Sequence, residues 1–173
     1  MNVLDPVFLR DLNSFLGRAT LQTYAGNGLP VPPRDTQRSP GFKELVYREG
    51  SWLYRDSYTG FLTSAGQEIV CYNDVPVWSQ SYAGGMRERY RDPDLARDCF
   101  RFLKDALTAG GRPHAFQPRG PRLHEESGWR YVCTWNGDIT DFQGQETIRC
   151  SGSTSIIFFH RFFGGVILHG LPE

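Results

Sequence analysis

Gly66-Gln67-Glu68-Ile69-Val70 decides how this chain is read, because it returns as Gly144-Gln145-Glu146-Thr147-Ile148. The surroundings return with it. Trp52, Tyr54, Tyr58 and Gly60 precede the first copy; Trp129, Tyr131, Trp135 and Gly137 precede the second. Further on, the run from Trp78 to Gly84-Gly85 is answered by the run from Phe158 to Gly164-Gly165. The offset between copies drifts by only a few residues, which small loop insertions absorb. Self-similarity of this kind outranks any local signal, since the whole architecture follows from it.

The repetition reaches back to two helices. Asp5-Pro6 and Asp92-Pro93 each place an N-cap before a proline at the first helical position, where the missing N–H costs nothing. Val7, Phe8, Leu12, Phe15, Leu16 and Ala19 recur at three and four residues and give one apolar face; Leu95, Ala96, Cys99, Phe100, Leu103, Ala106 and Leu107 do the same. Gly110 and Gly111 stop the second helix. The stretch from Tyr24 to Pro33 is rich in glycine and proline and reads as a loop, either a lid or surface decoration. Its counterpart, Arg112 to Pro121, is loop as well.

Strands follow in each half. Glu44 to Arg48, Ser51 to Ser57, Phe61 to Tyr72 and Val75 to Tyr82 carry β-branched and aromatic residues, with a turn at Asn73-Asp74. Gly128 to Trp135, Thr140 to Cys150 and Ile156 to Phe163 repeat the layout around a turn at Ser151-Gly152-Ser153, and Val166 to Leu168 adds a short apolar run. The expected fold is α+β: a pseudo-twofold duplication of a helix followed by three to four antiparallel strands, the helices packed on the sheet. It is read as a single domain, 1–173, made of two repeats at about 1–87 and 92–173.

Composition narrows the functional classes. The 173 residues carry 19 basic and 19 acidic side chains, and of the basic ones only Lys43 and Lys104 are lysines. A zero net charge removes the global field of a nucleic-acid or membrane-surface binder. No apolar run is long enough to span a bilayer, and the N-terminus has no basic start followed by an apolar stretch. Cys71, Cys99, Cys133 and Cys150 form no CxxC pair and have no metal-type spacing to histidine. Reduced thiols and a cytoplasmic setting are expected. No Gly-rich phosphate loop, HExxH or GxSxG occurs, so neither a cofactor nor a metal is expected.

The segments Ala19 to Ala25, Glu44 to Tyr47, Tyr54 to Tyr58, Gly66-Gln67-Glu68 and Pro76 to Tyr82 resemble the family called domain of unknown function 5680. So do Arg119-Gly120-Pro121, Tyr131 to Cys133, Gly137-Asp138, Phe142 to Glu146 and Phe162 to Gly165. The resemblance covers nearly the whole chain and keeps its motifs in order. It implies a bacterial protein of a family whose members stand alone or behind the helix-turn-helix domains of regulators. No helix-turn-helix precedes the family segments here. The family brings no established chemistry.

Glu68 and Glu146 are the leading pair for chemistry, because a pseudo-twofold axis would bring repeat-related carboxylates toward a common site, and neighbouring carboxylates divide acid and base roles. The alternative is that each accepts backbone N–H groups at a bulge marked by its glycine. Tyr54, Asp56 and Tyr58 share one sheet face, as do Trp78, Gln80 and Tyr82. With Tyr24 and Tyr131 they describe either the aromatic wall of a small-molecule pocket or a core under the helices. Asp56, Gln80, Glu68 and His160 are the members that a core explains least well. His160 occupies the place of Gln80, and a strand histidine is more often a satisfied polar residue than a base. Cys133 and Cys150 are expected to be buried, inert thiols. Arg87, Arg89, Arg91, Arg97 and Arg101 make one basic cluster, largely cancelled by interspersed acids.

Three readings stand at this point. The first is a small-molecule-binding domain with an aromatic-lined cleft. The second is an enzyme using Glu68 and Glu146 as acid and base, with His160 or Asp56 assisting. The third is a protein-interaction or regulatory module, its contacts made by the arginine cluster and the proline-rich loop. The expected partner is a small molecule, with a protein partner the alternative and a membrane or nucleic acid disfavoured.

Overall fold

The computed structural model describes residues 2–24, 30, 41–109 and 115–169. Most of the loop expected from Tyr24 to Pro33, the stop at Gly110-Gly111 and the start of the counterpart loop at Arg112 lie outside these residues. The elements are α1 (Pro6–Gln22), β1 (Lys43–Glu49), β2 (Trp52–Gly60), β3 (Thr63–Tyr72), β4 (Val75–Met86), α2 (Pro93–Ala109), β5 (Leu123–Glu126), β6 (Trp129–Asp138), β7 (Asp141–Cys150) and β8 (Phe158–Val166).

Both helices begin where the Asp-Pro pairs place them. The Asp5 carboxylate accepts from the backbone N–H of Val7 and Phe8, and Asp92 from those of Asp94 and Leu95. Each cap satisfies donors that the first helical turn leaves without partners. The buried stripe of α1 is Leu12, Phe15, Leu16 and Ala19; that of α2 is Ala96, Cys99, Phe102, Leu103, Ala106 and Leu107. Phe15 stacks on Tyr47 and Trp52, and Phe102 on His124 and Trp129. Burying one such phenylalanine contributes about 1.5–3 kcal/mol.

The strands form one antiparallel sheet of eight in the order β1-β2-β3-β4-β8-β7-β6-β5. Two runs of four strands therefore meet through β4 and β8, where Tyr82 pairs with Phe162. The expected Asn73-Asp74 turn closes the β3–β4 hairpin, both residues at positive φ as a tight hairpin turn demands. The glycines of the repeated motif mark no bulge. Pairing from Thr63 to Val70 is regular, and the irregularity falls at Val70/Cys71, beside Pro76. A proline in an inner strand is tolerated there because it sits at a bulge and beyond the last β8 partner, Val166 at Trp78. β5 was not expected: Leu123–Glu126 has one apolar residue and pairs at the sheet edge with Trp129–Val132. Both helices pack on one face of this sheet, and between them the face carries polar residues.

Candidate functional site

Strand register builds the floor of the site. Asp56, Glu68 and Gln80 lie side by side on β2, β3 and β4; Cys133, Glu146 and His160 lie side by side on β6, β7 and β8. All face the helices and all are buried. Arg119, from the segment between α2 and β5, enters from the helix side and joins the two rows. Its Nη1 donates to Glu68 Oε1 at 2.8 Å, and its Nε and Nη2 reach Glu146 Oε1 at 3.1 Å. Its guanidinium lies 4.7 Å over the ring of Tyr82. The two repeated glutamates thus share one cation, a planar donor fork suited to two carboxylates.

The remaining partners are side chains too. Gln80 Nε2 donates to Glu68 Oε1 at 3.1 Å, and Tyr82 donates to Asp56 Oδ1 at 3.0 Å. Tyr131 donates to Glu146 Oε2 at 2.8 Å while its oxygen accepts from the Gly120 N–H at 3.0 Å, which ties down the segment carrying Arg119. His160 Nδ1 lies 3.1 Å from Glu146 Oε1, and its Nε2 lies 2.9 Å from Ser64 Oγ. Gly66 and Gly144 make the rows possible, because a Cβ at Gly66 would strike the Tyr82 ring and one at Gly144 the Phe162 ring.

The carboxyls of this cluster are not alike. Burial and the nearby Glu68 raise Asp56 to about 7, against the opposing pull of Arg119 and the Tyr82 hydrogen bond. Burial works against the Glu146 charge as well, but Arg119, His160 and Tyr131 outweigh it and hold that carboxyl down at about 2. Burial lowers His160 despite Glu146, leaving the imidazole neutral at neutral pH. With Glu146 ionised, the neutral ring donates from Nδ1 to the carboxylate, and Nε2 is the acceptor facing Ser64.

Above this floor lies a cavity of about 280 Å³, bounded by α1, α2 and the Pro118-Arg119 segment and partly open to solvent. Of the expected site residues, Tyr24, Tyr54, Asp56, Tyr58, Glu68, Tyr82 and His160 line it. Trp78, Gln80, Tyr131 and Glu146 do not. Trp78 donates to Ile139 O and stacks on Phe142 in the core. Gln80, Tyr131 and Glu146 are fully buried supports beneath the wall. Sequence reasoning named no role for Ser64, Lys43, Lys104 or Arg119, all of which line the cavity. Arg119 stood only within a motif of the family resemblance. The lysines carried a signal in their rarity, since the chain's only two both reach this cavity.

Elsewhere, the arginine cluster is spent locally. Arg97 and Arg101 pair with Asp94 and Asp98 one helical turn away, and Arg87 and Arg89 lie over Phe159 and Tyr90. All four cysteines are free; burial raises Cys99 and Cys133 to about 12, far from a reactive thiolate, whereas Cys150, expected to be buried with Cys133, is exposed at the end of β7. Among the described residues no group of side chains has metal-holding geometry, and no helix is long and apolar enough to cross a membrane.

Fold and site define an α+β domain, one antiparallel sheet under two helices, enclosing a cavity with a buried ionic floor. The chain belongs to the family described as "Domain of unknown function (DUF5680)", whose model matches residues 56–167, more than half of its length. No curated protein and no solved structure matches it.

Proposed function

We propose that the chain is a small-molecule-binding domain whose ligand occupies the cavity between the helices and the sheet. One observation carries this reading: the cavity of about 280 Å³ has aromatic walls and a floor of buried Asp56, Glu68, Arg119 and His160. Ligand sites combine an apolar enclosure with a few fixed polar groups, whereas a core closes over such space because burying unmatched polar groups costs stability. The palindromic strand order and the repeated register support a duplicated origin, with repeats at about 1–87 and 92–173 in one domain. Four free thiols suit a cytoplasmic setting. Native mass spectrometry of the freshly purified chain, followed by thermal-shift screening, tests the reading. A retained or added ligand is expected, and its binding should vanish when Ser64→Trp fills the cavity. Binding that survives this filling, or no ligand from a broad screen, overturns the reading.

A catalytic reading has its own observation, the chain Ser64 Oγ, His160 Nε2, His160 Nδ1, Glu146 Oε1, with links of 2.9 and 3.1 Å. In such a reading Ser64 Oγ attacks an ester carbonyl carbon and passes its proton to His160 Nε2. The imidazolium then protonates the departing alcohol, and water hydrolyses the acyl-serine with His160 again as base. It displaces the expectation of Glu68 and Glu146 as acid and base, since Arg119 between them favours the ionised form at Glu146. A fluorophosphonate probe that labels the wild type but not Ser64→Ala would carry it; an unlabelled wild type removes it.

A further inference from the structure

The charges on the cavity floor do not balance. Three buried carboxyls, Asp56, Glu68 and Glu146, face one guanidinium, and Arg119 spends its donors on the two glutamates. Among the described residues the sole hydrogen-bond donor to Asp56 is the neutral phenol of Tyr82. Nearby, the buried Gln80 Oε1 has no hydrogen-bond donor among the described residues. A buried carboxylate without a cation is expensive and is relieved by protonation or by a counter-ion. The lysines stand farther out. Lys43 is exposed, and the half-buried Lys104 holds its ammonium 5.1 Å from the Tyr24 ring. The cavity is therefore acidic at its floor and basic toward solvent, with the rings of Tyr54, Tyr58, Phe61 and Phe100 along its walls. Aromatic faces attract cations and suit apolar bodies equally.

We infer that the ligand is an organic cation with an apolar body, its ammonium or amidinium seated on Asp56 beside Glu68 and its body against the tyrosine and phenylalanine walls. This rests on the cavity being a ligand site, as proposed above. An anion would meet Asp56 and Glu68 at the floor with their compensating charge already engaged. A neutral ligand would leave the carboxyl of Asp56 as costly as it is in the empty cavity. A cation supplies the missing charge and makes binding release a proton. The titratable groups that line the cavity with Asp56 are Lys43 on β1, Tyr54 and Tyr58 on β2, Glu68 on β3, Tyr82 on β4, His160 on β8, Tyr24 after α1, Lys104 on α2, and Arg119; of these, Glu68, Arg119 and Tyr82 act on where that proton leaves. Burial and Glu68 dominate, so Asp56 is protonated below about pH 7 and the cation displaces its proton.

Phenethylamine, phenethyl alcohol and phenylacetate share one body and differ in charge, which makes them the probes. Calorimetric titration of the intact chain with each, at millimolar concentration, is expected to show the amine binding about tenfold tighter than the alcohol, with phenylacetate weakest. Amine affinity should rise with pH and level off above about pH 7, with proton release measured across buffers of different ionisation enthalpy; alcohol affinity should stay flat. Asp56→Asn is expected to bring the amine down to the alcohol's affinity and to abolish its pH dependence. The wild-type pH profile stands even where that variant does not fold. Alcohol or phenylacetate binding as tightly as the amine, with that binding lost in Ser64→Trp, overturns the cation and leaves the ligand site standing. Binding by none of the three, together with no hit from the broad screen, overturns both.

Discussion

Asp56 and Glu146 are carboxyls of one cluster, each buried beneath the helices, yet their environments drive them in opposite directions. Asp56 meets a like charge and a neutral phenol; Glu146 meets Arg119, the Tyr131 hydroxyl and the His160 ring. Each makes stability depend on pH, with opposite sign. Asp56 binds its proton more tightly folded than unfolded, so its contribution is present below about pH 4 and is lost as pH rises toward about 7. Glu146 binds its proton less tightly when folded, so its contribution is present above about pH 4.5 and is lost as pH falls toward about 2. Asp56→Asn should therefore abolish a decline on the order of a few kcal/mol between about pH 4 and 7 and leave the acid limb in place. Glu146→Gln should flatten part of the acid limb at the cost of lower stability at neutral pH, because Arg119 loses a charge partner. Urea unfolding across this range reads both, and an Asp56→Asn profile parallel to the wild type would refute the assignment.

At the scale of elements, β3 and β7 each hold a glycine where a ring from the next strand lies flat against the backbone. An alanine in a regular strand is ordinarily kinder than glycine by about 0.5–1 kcal/mol. Gly66→Ala should do the reverse and cost about 1–3 kcal/mol, since its Cβ would strike the Tyr82 hydroxyl end and lie 2.9 Å from Tyr58 Cβ. Tyr82→Phe removes the atom struck first, so the double variant should lose less than the sum of the singles; strict additivity would show that the contact is relieved elsewhere. Much at this scale was legible in the sequence. Both helices follow from Asp-Pro caps and apolar spacing, and the hairpin at Asn73-Asp74 follows from its turn residues, because those signals are local. β5 was not legible, since His124, Glu125 and Glu126 at an exposed edge look like loop. Arg119 was hidden for a related reason: its partners lie on strands far away in the chain, and nothing in a proline- and glycine-rich stretch marks one arginine among many. Glu68 and Glu146 were legible as a pair through repetition alone, while the cation that joins them was not.

Across the whole molecule, two runs of four strands are joined by the β4–β8 ladder and by side chains that cross it. Trp78 of β4 donates to Ile139 O and stacks on Phe142 of β7, and Arg119, from the segment preceding β5, reaches Glu68 of β3. Such crossing contacts couple the halves, because losing either half exposes the apolar inner face of β4 or β8 and strands a buried charge. Unfolding should accordingly be a single transition. Trp52 reports on the first four strands and Trp129 and Trp135 on the last, while Trp78 stands at the junction. Retaining Trp52 alone, or Trp129 and Trp135 alone, with the other tryptophans replaced by phenylalanine gives two reporters whose urea midpoints should agree within each reporter's own change in stability. Arg119→Met should then lower both transitions together by about 3–5 kcal/mol at neutral pH, the cost of leaving two buried carboxylates without their cation. Its apolar stem fills the same space, so the loss reports on charge more than on packing. Were the second reporter to move alone, Arg119 would be a local brace for Glu146, and the two halves would be joined by their backbone ladder and little else.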